Sequence, residues 1–257
     1  MAYFTICLTA LLVAGVTLFS GFGLGTVLMP AFALFFPVEI AVAATAVVHL
    51  ANNLFKVALV GRHADWGVAV RFALPGALAA MAGAALLHWF GRFAPLAAYD
   101  LGSRTFVILP VKLVVGLLII LFALFELVPR LRRLSVGRKY LVLGGLLSGF
   151  FGGLSGNQGA FRSAFLMKLG LSKEAFVGTG TVAAVVVDVA RIAVYGFTLR
   201  AQPLGAAGPL VAAAIGAAFA GSFLGARLLH KVTLHAIQVL VGVLLLAIGA
   251  GMAAGLL

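Results

Sequence analysis

The stretch Gly152-Gly153-Leu154-Ser155-Gly156-Asn157-Gln158-Gly159-Ala160-Phe161-Arg162 constrains this chain more than any other. It interrupts apolar sequence that runs from Tyr140 to Phe151 and resumes from Ala164 to Leu171. Four glycines within eight residues oppose a straight helix, because each costs about 1 kcal/mol relative to alanine. Inside lipid, broken backbone survives only where protein or a watery cavity satisfies its N–H and C=O groups. The break also gathers the hydrogen-bonding side chains of Ser155, Asn157, Gln158 and Arg162. It reads as half of a substrate site buried in a membrane. The plainer alternative is a packing kink, with Arg162 snorkelling to the surface.

The membrane follows from composition. Of 257 residues, 64% are hydrophobic and 9% charged, with mean hydropathy +1.22. A soluble domain of this size could not hide that apolar surface, and the sequence contains many runs near the ~20 residues that span a bilayer. The formal net charge of +12 would suggest a phosphate-binding face in a nucleic-acid reader. In a membrane protein it points instead to basic cytoplasmic loops, so nucleic acid is not an expected partner. Cys7 is the single cysteine, which excludes disulfides and cysteine clusters. The five histidines fall far apart in sequence; neither a metal nor a cofactor is expected.

In chain order, residues 1–19 are apolar but lack a basic leader and a small-residue cleavage pattern, and are read as structure. A second glycine break, Ser20-Gly21-Phe22-Gly23-Leu24-Gly25-Thr26, ends at Pro30. A helix is predicted from about Val38 to Val60, carrying His49, Asn52, Asn53 and Lys56, and another over about 67–90. A polar loop is predicted up to Arg104, then the cleanest span, Phe106 to Val128, with Lys112 and Glu126 near its ends. Arg130, Arg132, Arg133, Arg138 and Lys139 form the strongest basic cluster. Beyond it the pattern restarts. Gly15 aligns with Gly149, Gly25 with Gly159 and Thr45 with Thr179; after one inserted residue, Asn53 aligns with Asp188 and Lys56 with Arg191. Pro75 and Pro209 are expected to open the next helix of each half. Two repeats, 1–134 and 135–257, make one integral membrane domain.

Charge decides how the repeats are oriented. If every segment crossed the membrane, the repeats would be parallel and the basic loops at 130–139 and 227–231 would face opposite sides. If 3–36 and 139–171 are instead re-entrant hairpins, each half keeps three spans and the second half is inverted. Arg62, Arg71, the 130–139 cluster, Lys168, Lys173, Arg227 and Lys231 then share one face, leaving Arg92, Arg104 and Arg200 on the other. The positive-inside rule favours this second plan, with both termini periplasmic. The expected fold is thus an all-α polytopic membrane protein of two inverted repeats, each a glycine-broken re-entrant hairpin plus about three transmembrane helices.

Lys56, Arg162 and Arg191 fall in apolar segments, where each buried cation costs about 2.5–3.5 kcal/mol on insertion scales. Asp188 can neutralise Arg191 from three residues away on one helix face. Such a pair is either a structural bridge or a coupling element. Lys56 and Arg162 have no evident acidic partner, since Glu39, Asp65, Asp100, Glu126 and Glu174 sit near helix ends or loops. A small anionic substrate would complete the balance, helped by N–H groups freed at the glycine breaks. The candidate binding set is Ser20, Gly21, Gly23, Gly25, Thr26, Asn52, Asn53, Lys56, Ser155, Gly156, Asn157, Gln158, Gly159 and Arg162, with Asp188 and Arg191 as the coupling pair. Snorkelling is the alternative for Lys56.

Gly221-x-x-x-Gly225 fits close helix packing. His49 is expected to hydrogen-bond a neighbouring helix as a neutral imidazole. Gly153-Leu154-Ser155-Gly156, with His49 and Asn53, resembles the catalytic serine and oxyanion residues of rhomboid intramembrane proteases. Such an enzyme needs a base histidine on a later span, and His230 and His235 flank a short loop, so no enzyme is expected.

The paired motifs resemble those of the TauE/SafE sulfite exporter family. In the first half they are Gly21-Phe-Gly-Leu-Gly25 leading to Pro30 and Ala-Val-Ala-Ala-Thr at 41–45. In the second they are Gly149-Phe-Phe-Gly-Gly-Leu-Ser-Gly156, Gln158-Gly159 and Gly178-Thr179. Ala164 stands where Pro30 would repeat. The resemblance implies a secondary transporter of small sulfur-containing anions in the bacterial inner membrane, exporting on the proton gradient; a passive anion channel is the alternative. With one cysteine the chain cannot run the cysteine relay of the related thiosulfate uptake proteins. Whether copies of the chain associate into a homo-oligomer is left open.

Overall fold

A computed structural model describes residues 1–20, 24–128, 130, 136–167, 169–201, 207–228 and 234–257, with the side chains of 17–20, 126, 197–201, 226–228, 234–238 and 240 outside the description. The described chain is mostly helical: α1 Ala2–Ser20, α2 Leu24–Ala33, α3 Val38–Val60, α4 Trp66–Phe90, α5 Pro110–Leu127, α6 Leu141–Ser155, α7 Gly159–Leu166, α8 Lys173–Ala201, α9 Gly208–Leu228 and α10 Leu234–Ala253. Four of them, α3, α4, α8 and α9, are long and apolar enough to cross a membrane. Their outer faces carry large apolar side chains such as Leu74, Leu78, Trp89 and Val189, all exposed. A surface this apolar belongs against lipid.

Two sequence expectations are corrected. The segment read as a polar loop and the start of a span contains an antiparallel hairpin, β1 Ala97–Leu101 and β2 Arg104–Ile108. Phe106 is therefore in a strand, and α5 starts only at Pro110, whose fixed φ suits a first helical position. The hairpin reads as strand because Thr105, Phe106, Val107 and Ile108 are β-formers following a Gly102-Ser103 turn, with Gly102 at φ 67. Pro75 does not open a helix: it lies inside α4, while Pro209 is the second residue of α9. The helix Val38–Val60 is where the sequence placed it.

Glycine stripes set how the helices pair. Along α6, a Cβ on Gly145, Gly149 or Gly153 would strike the carbonyl oxygens of Phe72, Gly76 and Ala80 on α4. The register rises together, so α4 and α6 run parallel at backbone contact. The same device pairs α1 with α9, where Gly221 meets Leu11 and Gly225 meets Gly15. Close packing at Gly221-x-x-x-Gly225 is thus as the spacing suggested. By contrast α3 and α8 run antiparallel: Asp188 meets His49, while Gly178 faces Val60 and Ala64. So do α5 and α10, where Gly116 faces Gly249 and Gly242 faces Leu127.

The segment α6–α7 doubles back on itself. Ser148 Oγ donates to the Gln158 carbonyl at 2.8 Å, Gly144 lies under the Phe165 ring, and Val136 N donates to the Ala164 carbonyl at 3.2 Å. At 1.5 Å per residue, α6 is about 22 Å long and α7 about 12 Å, both short of a ~30 Å hydrocarbon core. Phe161 on α7 stacks on Phe151 with centroids 5.3 Å apart, and Phe122 and Phe125 of α5 close the other side.

Candidate functional site

The site is built on one face of α8, where Asp188, Arg191 and Tyr195 follow at helical spacing. Asp188 and Arg191 are fully buried. Asp188 Oδ1 accepts from Arg191 Nε at 3.0 Å and from Gln158 Nε2 at 2.9 Å. Its Oδ2 accepts from Asn53 Nδ2 at 3.2 Å and lies 2.6 Å from His49 Nδ1, which carries the proton in the arrangement that satisfies the carboxylate. Arg191 Nη2 is 2.8 Å from Oδ1 but off the hydrogen-bonding direction, so it adds charge rather than another bond. The pairing of Asp188 with Arg191 expected from their spacing is present, and His49 hydrogen-bonds a neighbouring helix as expected.

That network also explains how the chain tolerates its glycine break. Helix α6 ends at Gly156, whose φ of 81 is a left-handed conformation open to glycine, and Gly156 N caps the Gly152 carbonyl at 3.0 Å. The Gly152 carbonyl also accepts from Arg191 Nη1 at 2.9 Å, and the Gly153 carbonyl accepts from Tyr195 OH. Carbonyls that lipid could not satisfy are taken by α8. The first-half break comes to the same point. A Cβ on Gly25 would lie 2.8 Å from the Gly156 carbonyl oxygen and 3.8 Å from His49 Cδ2.

The remaining sequence-nominated residues divide. Thr26 at the start of α2 and Gly159 at the start of α7 are buried beside this junction. Asn157 Nδ2 donates to Ser155 Oγ at 3.2 Å and leaves its own Oδ1 without a partner. Ser155 Oγ donates back to the Phe151 carbonyl at 3.0 Å. With Ser155 and His49 committed to different partners, they do not form a nucleophile–base pair. Asn52 turns away from the Asp188 network and accepts from Ser222 Oγ of α9 at 2.8 Å. Gly21 and Gly23 lie outside the described residues, as does the side chain of Ser20.

Two cations stand apart. Arg162 on α7 is 9% exposed, its Nη1 has no hydrogen-bond partner, and Nε rests 3.5 Å from where Gly180 would carry a Cβ. Lys56 on α3 is 7% exposed. Neither forms an ion pair among the described residues. Snorkelling requires a head in solvent, and the burial of both side chains argues against it. The carboxylates Glu39, Asp65, Asp100 and Glu174 lie in first turns, a cap or the hairpin.

His49 and Tyr195 were not nominated from sequence as site residues, though each carried a signal. Tyr195 repeats the face of Asp188 and Arg191, and His49 sits one turn before Asn53. What the sequence lacked was the pairing of α3 with α8.

No curated protein and no solved structure is similar enough to the chain to add a comparison. The family model described as Sulfite exporter TauE/SafE matches residues 6–252. With that match over nearly the whole length, together with its long apolar helices, the chain is a multi-pass membrane protein belonging to the TauE/SafE sulfite exporter family.

Proposed function

We propose that the protein is a secondary transporter that exports small sulfur-containing anions, sulfite or organosulfonates, across the inner membrane on the proton gradient. The anion binds where the two glycine breaks meet, between Gly25–Thr26 and Ser155–Arg162. The observation that carries this reading is Arg162, a buried guanidinium with an unpartnered Nη1, in the first turn of the helix that follows the second break. An oxyanion there would form charge-assisted hydrogen bonds, about twice as strong as neutral ones. Asp188 with Arg191 is the coupling pair, the carboxylate being the place where a proton could alter the helix contacts around the break.

In the accompanying topology the two repeats are inverted and 3–36 and 139–171 are re-entrant hairpins. Five helix contacts support it: the antiparallel return of α7 along α6, the parallel pairs α4–α6 and α1–α9, and the antiparallel pairs α3–α8 and α5–α10. Exchanging the halves converts one parallel pair into the other and each antiparallel pair into itself, as a pseudo-twofold axis requires. Asn53 bonding its repeat equivalent Asp188 fits a position on that axis.

Proteoliposomes containing the purified protein test the function. With an imposed proton gradient, sulfite or sulfoacetate should accumulate above equilibrium. Flux that only equilibrates the anion and ignores the proton gradient would mean a passive channel. Arg162→Gln should weaken anion binding far more than folding, and Arg162→Lys should restore it only in part, since a point charge does not replace a planar fork. Normal transport by Arg162→Gln would remove the anion site from this place.

A further inference from the structure

The buried cations are not equivalent, and their arrangement bears on the charge of the ligand. Arg191 is matched by Asp188, whose two oxygens already receive Arg191, Gln158, His49 and Asn53. This layer is internally neutral with a neutral imidazole. Arg162 and Lys56 lie in a second layer. Gly180, against which Arg162 rests, is about 12 Å along α8 from Asp188. The antiparallel register of α3 and α8, fixed by His49–Asp188 and Val60–Gly178, sets Lys56 level with Thr181. Gly180 contributes no side chain, so Arg162 packs directly against the α8 backbone there. Neither cation forms an ion pair among the described residues.

We propose that Arg162 and Lys56 together form a two-charge site that selects doubly charged oxyanions over singly charged ones. This rests on the anion-site reading above and adds the charge state of the ligand. A dianion cancels both cations and meets the fork of one and the point charge of the other. A monoanion leaves one buried cation uncompensated, which lipid and packed protein do not tolerate. Two like charges also repel until a dianion arrives, so occupancy by it should stabilise the fold as well as the ligand.

Near-isosteric pairs separate charge from shape: thiosulfate against methanesulfonate, and sulfoacetate against sulfoacetamide. Affinities are measured on the detergent-purified full chain by calorimetry and by thermal shift at neutral pH. Wild type should prefer the dianion of at least one pair by about 30-fold or more. Lys56→Gln should erase or reverse that preference and should leave the ligand-free protein as stable as wild type or more so. Arg162→Gln should likewise lose the dianion preference, which keeps the test open if one variant folds poorly. Equal affinity for both members of each pair, or an unchanged preference in both variants, overturns the charge selection while leaving an anion site standing. A marked loss of ligand-free stability in Lys56→Gln means Lys56 has a carboxylate partner of its own, and also overturns it. Binding of none of the four probes removes the anion-site reading itself.

Discussion

Asp188 is the residue on which the interior turns, because it is the one described carboxylate wholly buried among spans. Asp188→Asn strips the counter-ion from Arg191 and should cost about 3–5 kcal/mol, the usual result of breaking a buried pair from one side. The double variant Asp188→Asn with Arg191→Gln should recover much of that stability, since no charge is stranded. If Asp188 couples protons to transport, the double variant will still fail to accumulate anion uphill in proteoliposomes. Recovery of uphill transport would reduce the pair to a bridge. Tyr195→Phe is a gentler probe. It strands the Gly153 carbonyl and should cost about 1–3 kcal/mol in thermal or denaturant unfolding.

At the scale of elements, the glycine stripe of α6 is a packing surface before it is anything else. Gly149 lies against the Gly76 backbone, so Gly149→Val must push α6 away from α4. The expected loss exceeds the ~1–3 kcal/mol of ordinary overpacking, because the obstruction is backbone that cannot rotate aside. Gly216 of α9 is the control: it is exposed and a Cβ there meets nothing within 4 Å. Gly216→Ala should be neutral or stabilise by up to about 1 kcal/mol. Unfolding of the two purified variants in detergent checks both. A Gly149→Val protein as stable as wild type would mean the parallel α4–α6 contact is not formed.

For the whole molecule the testable quantity is sidedness. In a Cys7→Ala background, Ser103→Cys at the tip of the β1–β2 hairpin should react with a membrane-impermeant thiol reagent added outside intact cells. Ser135→Cys, whose position falls outside the described residues, should react only after the membrane is opened. Labelling of Ser135→Cys from outside would reverse the orientation. Labelling of both from one side would break the inverted arrangement, because α5 would then not cross between them.

What the sequence determined by itself was what depends on local pattern and on neighbours along the chain. Apolar runs and the glycine breaks specified a membrane-embedded helical protein with interrupted segments. The spacing of Asp188 and Arg191 specified their pair, since residues three apart on a helix meet wherever that helix goes. The paired glycine motifs were legible because they are a property of the string, and so was their likeness to the TauE/SafE family. The β1–β2 hairpin was missed because β1 falls in what reads as polar loop, while Phe106, Val107 and Ile108 of β2 merge with the apolar run of the next span. Only tertiary structure decided which helices touch. It brought His49, Asn53, Gln158 and Tyr195 to the Asp188–Arg191 face, turned Asn52 toward Ser222, and left Arg162 and Lys56 buried with no ion pair among the described residues. Those outcomes depend on backbones approaching across glycine stripes, and such approach is set by the partner helix rather than by the sequence beside each residue.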